Sequence, residues 1–139
     1  HLKYQLNKEL DMNELHCKLF VDTWLSIEEL THELSNRLNL KYDKFLSIEG
    51  DFFYMDVLRN KGFDKTESLK FPDGFLYFPY VIDIDVNDIE LDNIQILEYK
   101  NIISKVMSYL WGQGAKLVAS SDFESELPNS GGYGKKINY

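Results

Sequence analysis

A long amphipathic stretch near the end of the chain most constrains its fold. The run "DNIQILEYKNIISKVMSYLWGQG" places apolar residues at alternating steps of three and four, the spacing of one face of an α-helix: Ile96, Tyr99, Ile103, Val106 and Leu110. Asp92 or Asn93 is suited to cap the first turn, and we expect Gly112 to end the helix in the left-handed conformation. The stretch therefore predicts a long helix that buries one apolar stripe.

Strand-like patterns lie on both sides of this helix. Apolar residues alternate with polar ones in "LHCKLFVD", and "KFLSIEGDFFYMDVL" reads as a hairpin whose Gly50 supplies a positive φ. We expect "FLYFPYVIDIDV" to form one long strand, with Pro79 at a sheet edge or a bulge, and "AKLVAS" to form the last strand. A shorter helix follows Ser26, which forms a capping box with Glu29.

This order of elements predicts an α+β fold. We expect a ferredoxin-like (βαββ-βαβ), largely antiparallel sheet with two helices packed on one face. Residues 1–139 are predicted to form a single domain, with a loop or mobile tail from about 128 to 139 because of its Pro and Gly content. The lone Cys17 permits no internal disulfide and favours a cytoplasmic location, and no segment is long and apolar enough for a membrane helix.

The charge of the chain narrows the choice of partner. The formal net charge is -8, which argues against nucleic acid because phosphate binding requires concentrated Lys and Arg. Much of the excess acidity lies between Asp83 and Glu126. Such a run is either a solvated face or a surface for a basic partner.

Motifs for catalysis or cofactor binding are missing from the sequence. No glycine-rich phosphate loop follows a strand, and "SGGYGKK" lacks the helix that would complete an anion site. His16 and Cys17 are neighbours on a strand, so their side chains point to opposite faces and cannot pair directly. We therefore expect no catalytic residue, cofactor or metal, and a core position for Cys17.

The acids of "SDFESEL" leave several interpretations open. If this segment is extended, Asp122, Glu124 and Glu126 project to one side, while Phe123 and Leu127 fasten it to the body. The three carboxylates could then support acid–base chemistry, bind a hard cation or form a partner-facing or solvated edge. We favour the last interpretation because the sequence shows no accompanying base or positioning group.

Several short motifs carry a family resemblance. They are "FPDGF" at 71–75, "YLW" at 109–111, "DFESELP" at 122–128 and "GGY" at 131–133. Together with an aromatic-rich strand, they make the second half of the chain resemble small uncharacterised bacterial proteins. In size and acidity these are similar to the immunity proteins of polymorphic toxins, and that resemblance implies stoichiometric binding to a toxin.

These observations predict a non-enzymatic bacterial protein-binding module of the immunity or inhibitor type. Its acids would steer a basic, toxin-like protein partner, and exposed aromatic residues would hold it. The residues predicted to contact the partner are Asp83, Asp85, Asp88, Glu90, Asp122, Glu124, Glu126, Trp111 and Tyr133. One alternative is a small enzyme or ligand-binding domain with an aromatic pocket beside carboxylates, lined by Phe53, Tyr54, Tyr77 and Tyr80. Another is a homodimer or larger homo-oligomer that uses the long aromatic strand as its interface.

Overall fold

The structure is a computed structural model that describes residues 15–87 and 90–132. Its strands are β1 (Cys17–Asp22), β2 (Ser47–Glu49), β3 (Phe53–Arg59), β4 (Tyr80–Val86) and β5 (Lys116–Ser121). Its α-helices are α1 (Ile27–Leu38) and α2 (Asn93–Gly112). Short 3₁₀ turns occupy Glu67–Leu69, Gly74–Tyr77 and Glu124–Glu126.

The five strands form one sheet in the order β2-β3-β4-β1-β5. Every neighbouring pair is antiparallel. The expectation of an α+β fold with an antiparallel sheet and two helices is confirmed for the described residues. In this order β4 is a central strand, and β2 and β5 form the edges.

The main core lies between the helices and one face of the sheet. Alternate residues of β1, namely Cys17, Leu19 and Val21, are fully buried in the same cluster as the apolar stripes of both helices. Leu30 and Leu34 supply the stripe of α1, whereas α2 supplies Tyr99, Ile103, Val106, Met107 and Leu110. Both helices therefore pack on one side of the sheet, and we call the other side the helix-free face.

Both helices begin at capping boxes; the box at Ser26 was predicted, whereas for α2 only an N-cap at Asp92 or Asn93 was predicted. Ser26 accepts a hydrogen bond from the Glu29 N–H, and Asp92 accepts one from the Gln95 N–H. The second helix, α2, ends at Gly112 as predicted, but the predicted left-handed conformation of Gly112 is wrong. The left-handed residue is Gly114, with a φ of 89°.

The hairpin between β2 and β3 is confirmed, but the predicted role of Gly50 is wrong. Gly50 does not adopt a positive φ. A Cβ at this position would instead lie 2.2 Å from Cε1 of the Phe53 ring. The turn needs glycine because a buried aromatic ring occupies the space of a side chain.

The long strand predicted for residues 75–86 forms only in its second half. Gly74–Tyr77 is a 3₁₀ turn, and Phe75 and Phe78 pack against Phe20 and Val118 on the helix-free face. Pro79 stands just before β4, where its missing N–H removes no ladder hydrogen bond. The predicted edge or bulge position of Pro79 is therefore wrong, since β4 lies in the middle of the sheet.

The segment after β5 turns back on the sheet instead of continuing as a strand. Phe123 and Leu127 are buried on either side of the turn at Glu124–Glu126, as the apolar spacing suggested. Pro128–Gly132 forms a further turn, within which Gly131 and Gly132 are buried. The extended geometry on which the alignment of Asp122, Glu124 and Glu126 depended does not occur.

Candidate functional site

The helix-free face carries two polar rows that run across the strands. In the first row, Ser47 of β2 pairs with Asp56 of β3, which pairs with Asp83 of β4 and then Lys18 of β1. In the second row, Glu49 pairs with Tyr54, which pairs with Asp85. We call these two rows the polar half-face. It combines four acids from three strands: Glu49, Asp56, Asp83 and Asp85.

Like charges meet directly on this half-face. Asp56 and Asp83 are opposite each other in neighbouring strands, a placement that destabilises an antiparallel pair. Asp83 also has two compensating neighbours: Lys18 lies directly opposite it in β1, and the Nε2 atom of His16 forms a hydrogen bond with its carboxylate. The four acids of the half-face outnumber its single lysine, Lys18, so a positive group from outside would reduce the repulsion between Asp56 and Asp83.

Tyr54 stands among these carboxylates. Partial burial raises the pKa of its phenol above the usual value, and the negative charges of three neighbouring aspartates add to the rise. Those aspartates are Asp85, Asp83 and Asp56. A half-buried aromatic ring bordered by acids offers both contact area and negative potential.

An apolar row completes the helix-free face, and the chain itself covers much of it. Leu58, Val81, Phe20 and Val118 are paired in sequence across four strands. Phe75 and Phe78 of the loop 60–79 pack on this row, with Phe20 and Phe75 in an edge-to-face contact at 5.5 Å between ring centroids. The side-chain amide of Asn60 donates to the carbonyls of Leu76 and Phe78 and so fixes the loop in place.

The three acids after β5 lie at the same end of the sheet as Asp85. Cys17 pairs with both Ile84 and Ser121, so β4 and β5 terminate on either side of the start of β1. Burial raises the pKa of the Cys17 thiol to about 12, and the negative charges of Glu124 and Asp83 add to the rise. Two acidic segments far apart in the sequence are therefore neighbours in the fold.

Two of those three acids are engaged in local structure. Glu124 accepts a hydrogen bond from the N–H of Ser121 at 3.3 Å. Both carboxylate oxygens of Glu126 accept hydrogen bonds from the ammonium group of Lys100, each at 3.2 Å. Asp122 is exposed. The three carboxylates consequently do not converge on one point.

A shallow groove lies beside these acids, between the start of α2 and the segment after β5. Its volume is about 210 Å³, and its polar lining includes Lys100, Asp122 and Glu126. Small-molecule pockets are usually about 300–1,000 Å³. Within residues 15–87 and 90–132, no group of three or more His, Cys, Asp or Glu side chains could hold a metal ion.

Trp111 lies beside β5, at the edge of the sheet. Its indole Nε1–H donates to the carbonyl oxygen of Leu117 in β5, at 3.2 Å. Gly132 approaches the same carbonyl so closely that an added Cβ would lie 2.8 Å from it. The side chain predicted to anchor a partner therefore helps to close the edge of β5.

Of the remaining residues predicted to contact a partner, the structure describes one and leaves two outside the described ranges. Glu90 is exposed just before α2. Asp88 and Tyr133 lie outside the described residues. Glu49 and Asp56 were not among the residues predicted to bind a partner. A signal for Asp56 was present, because Tyr54 and Asp56 alternate with buried apolar residues in "FYMDVLR".

The four aromatic residues of the alternative pocket do not meet. Phe53 is buried in the helix-side core, and Tyr80 packs against the same core and donates to the carbonyl of Leu25. Tyr54 lies on the opposite face, among the acids. Tyr77 is exposed in the loop. This geometry lends no support to a pocket lined by all four.

Comparisons with protein-family models, curated proteins and solved structures found no match for this chain. Among the described residues, no helix has both the length and the apolar character needed to cross a bilayer.

Proposed function

We propose that this chain is a non-enzymatic protein-binding module of the bacterial immunity or inhibitor type. It would act in the cytoplasm by stoichiometric binding to a basic, toxin-like partner. The resemblance in motifs, size and acidity supports this class. The observation that carries the proposal is the gathering of acids from β2, β3 and β4 on one face, beside the acids that follow β5.

The shape of this surface favours binding over chemistry. Its carboxylates are spread along strands and turns instead of converging in a deep cavity. Dispersed charges of one sign steer an oppositely charged partner and raise its association rate. A catalytic site would need positioned groups within hydrogen-bond reach of one reacting atom.

We also propose that the fold is ferredoxin-like with an added strand. Because β1 is antiparallel to both β4 and β5, those two strands are parallel to each other and are joined through α2. By the same reasoning β1 and β3 flank β4, and the connection between them contains α1. In this classification β2 is an extra edge strand attached to β3 by a hairpin.

Binding to the product of the neighbouring gene tests the proposed function. We expect a complex at micromolar concentration whose association rate falls when ionic strength rises from about 0.01 M to 0.15 M, as the Debye length shrinks from about 30 Å to about 8 Å. Reversing the charge of Asp122, which is exposed and lies outside the core, should also slow association. Glu98→Lys on the exposed side of α2 is the matched control. Absence of a complex, or association indifferent both to salt and to the charge reversal at Asp122, would contradict the proposal.

A further inference from the structure

The sheet has four sides on which a partner could dock, two faces and two edges. The helix-side face is covered by α1 and α2, whose apolar stripes fill the main core. Docking through this face would require the helices to leave, at the cost of most of the buried apolar contacts of the molecule. It is therefore not available to a partner.

The edge at β5 is closed by the chain itself. Trp111 donates to the carbonyl of Leu117, and Glu124 accepts from the N–H of Ser121. Gly131 lies against the carbonyl of Ala119, where an added Cβ would be 3.3 Å away. These contacts oppose the addition of an extended peptide to this edge, because the carbonyls of Leu117 and Ala119 and the N–H of Ser121 are engaged or covered.

The opposite edge, at β2, is short and also occupied. The N–H of Asp43 donates to the carbonyl of Ser47, and the Asp43 carboxylate accepts from the N–H of Ser47. Tyr42 forms an antiparallel bridge with Ile48. A strand of three residues with these contacts offers little backbone for strand addition.

The polar half-face is the part of the sheet that neither the helices nor the loop 60–79 cover. Its apolar border is formed by Leu58, at the end of the covered row, which is 44% exposed. Acids lie next to this border along the same strand, since Asp56 precedes Leu58 by two residues. The surface thus joins an acidic area to an exposed apolar side chain, which offer a partner electrostatic attraction and apolar contact area.

We infer that the polar half-face is the docking surface and that its occupant is a folded basic protein, bound face-on to the sheet. This inference rests on the proposed function and specifies its geometry. Charge complementarity selects the occupant, because Glu49, Asp56, Asp83 and Asp85 face outward beside Lys18 and His16. Repulsion between the acids of two copies disfavours a second copy of the chain as the occupant, and the closed edges of the sheet disfavour an extended strand.

Two double variants with the same change in net charge test this inference. Asp56→Lys with Asp85→Lys reverses charge on the half-face, whereas Asp73→Lys with Glu98→Lys reverses it at exposed sites elsewhere. With lysozyme as the folded basic probe at low salt, we expect the first variant to weaken binding by about tenfold or more and the control by clearly less. Circular dichroism and urea unfolding establish that both variants are folded.

Mapping on the unmodified chain provides a second measurement that needs no variant. We expect lysozyme to shift the amide resonances of Tyr54, Asp56 and Asp85 and to leave those of Leu117 and Ala119 at the closed edge unchanged. Equal loss of binding in both double variants, or shifts confined to residues 122–126 or to a sheet edge, would overturn the face-on geometry while leaving the proposed function intact. If neither lysozyme nor the neighbouring gene product binds, the proposed function itself fails.

Discussion

At the residue scale, the packing of a neighbouring side chain explains why position 50 is a glycine. The Phe53 ring occupies the position that a Cβ would take and is itself buried at 3% exposure. We expect Gly50→Ala to lower the free energy of unfolding by about 1–3 kcal/mol, because the ring must leave its packed position. Urea denaturation of the purified chain measures this change.

Gly112→Ala is the matched control for that substitution. Gly112 is helical and exposed, and a Cβ there would meet nothing within 4 Å. Alanine should therefore stabilise the chain by up to about 1 kcal/mol through its helix propensity. If both substitutions change stability in the same direction, packing around Phe53 does not explain the glycine.

The buried thiol of Cys17 makes the free energy of unfolding depend on pH in the alkaline range. Burial raises the pKa of its thiol from 9.0 to about 12, so the folded state keeps the proton at a pH where the unfolded state releases it. The resulting stabilisation is fully present below pH 9 and is lost as the pH rises towards 12, with a limiting slope of about 1.4 kcal/mol per pH unit.

We expect the pH dependence of the free energy of unfolding to differ between the unmodified chain and Cys17→Ala. Free energies of unfolding measured from pH 8 to 11 should fall more steeply for the unmodified chain than for Cys17→Ala, which lacks the thiol. Alanine also leaves a small cavity, which shifts the whole curve but not its slope. Parallel curves would show that the thiol titrates alike in both states.

At the element scale, β5 is an edge strand protected by its own neighbours. Trp111→Phe would keep most of the aromatic contact but remove the donor to the Leu117 carbonyl. We expect a loss of about 0.5–1.5 kcal/mol in stability and faster amide hydrogen exchange in β5. Denaturant unfolding and exchange mass spectrometry measure the two effects.

Trp24→Phe is the control for the loss of an indole. Trp24 is 83% exposed, so its replacement should change stability by less than about 0.5 kcal/mol. Trp111→Phe should also leave lysozyme binding unchanged, since this residue lies at the closed edge. A loss of binding without a loss of stability would instead assign Trp111 to the partner surface.

The elements themselves were largely predictable because their signals are local. Capping boxes, the apolar stripe of α2 and the alternation in β1 each lie within one segment. The strand expected at residues 75–79 failed because Phe75 and Phe78 are buried at a spacing of three, in a loop that folds over the sheet. A run rich in apolar residues does not by itself distinguish that arrangement from a strand.

The candidate surface was only partly predictable, because it depends on strand order. Alternation places Asp83 and Asp85 on one side of β4, and this is visible in the sequence. That Asp56 meets Asp83 follows only from the pairing of β3 with β4, which are separated by a loop of twenty residues, 60–79. The roles of Trp111 and Glu124 at the edge of β5 likewise arise from tertiary contacts.

At the scale of the whole molecule, charge and edge protection act together. The net charge of -8, the acids of the half-face and the covered edges all oppose contact between copies. The long aromatic strand that the oligomer alternative uses as a sheet-to-sheet interface forms only in its second half, at Tyr80–Val86. The repulsion should weaken as carboxylates become protonated, near the isoelectric point of about 4.8.

We therefore expect the chain to be a monomer of 16.3 kDa at neutral pH and to self-associate as the pH approaches 4.8. Size-exclusion chromatography with light scattering at pH 7.5 and at pH 5 measures the mass under each condition. Asp56→Asn with Asp83→Asn removes two charges from the half-face and should raise the pH at which association begins, whereas the same exchange at Asp73 and Asp64 should shift it less. A stable dimer at neutral pH would contradict this expectation, because it would show that copies pair despite the charge on this face.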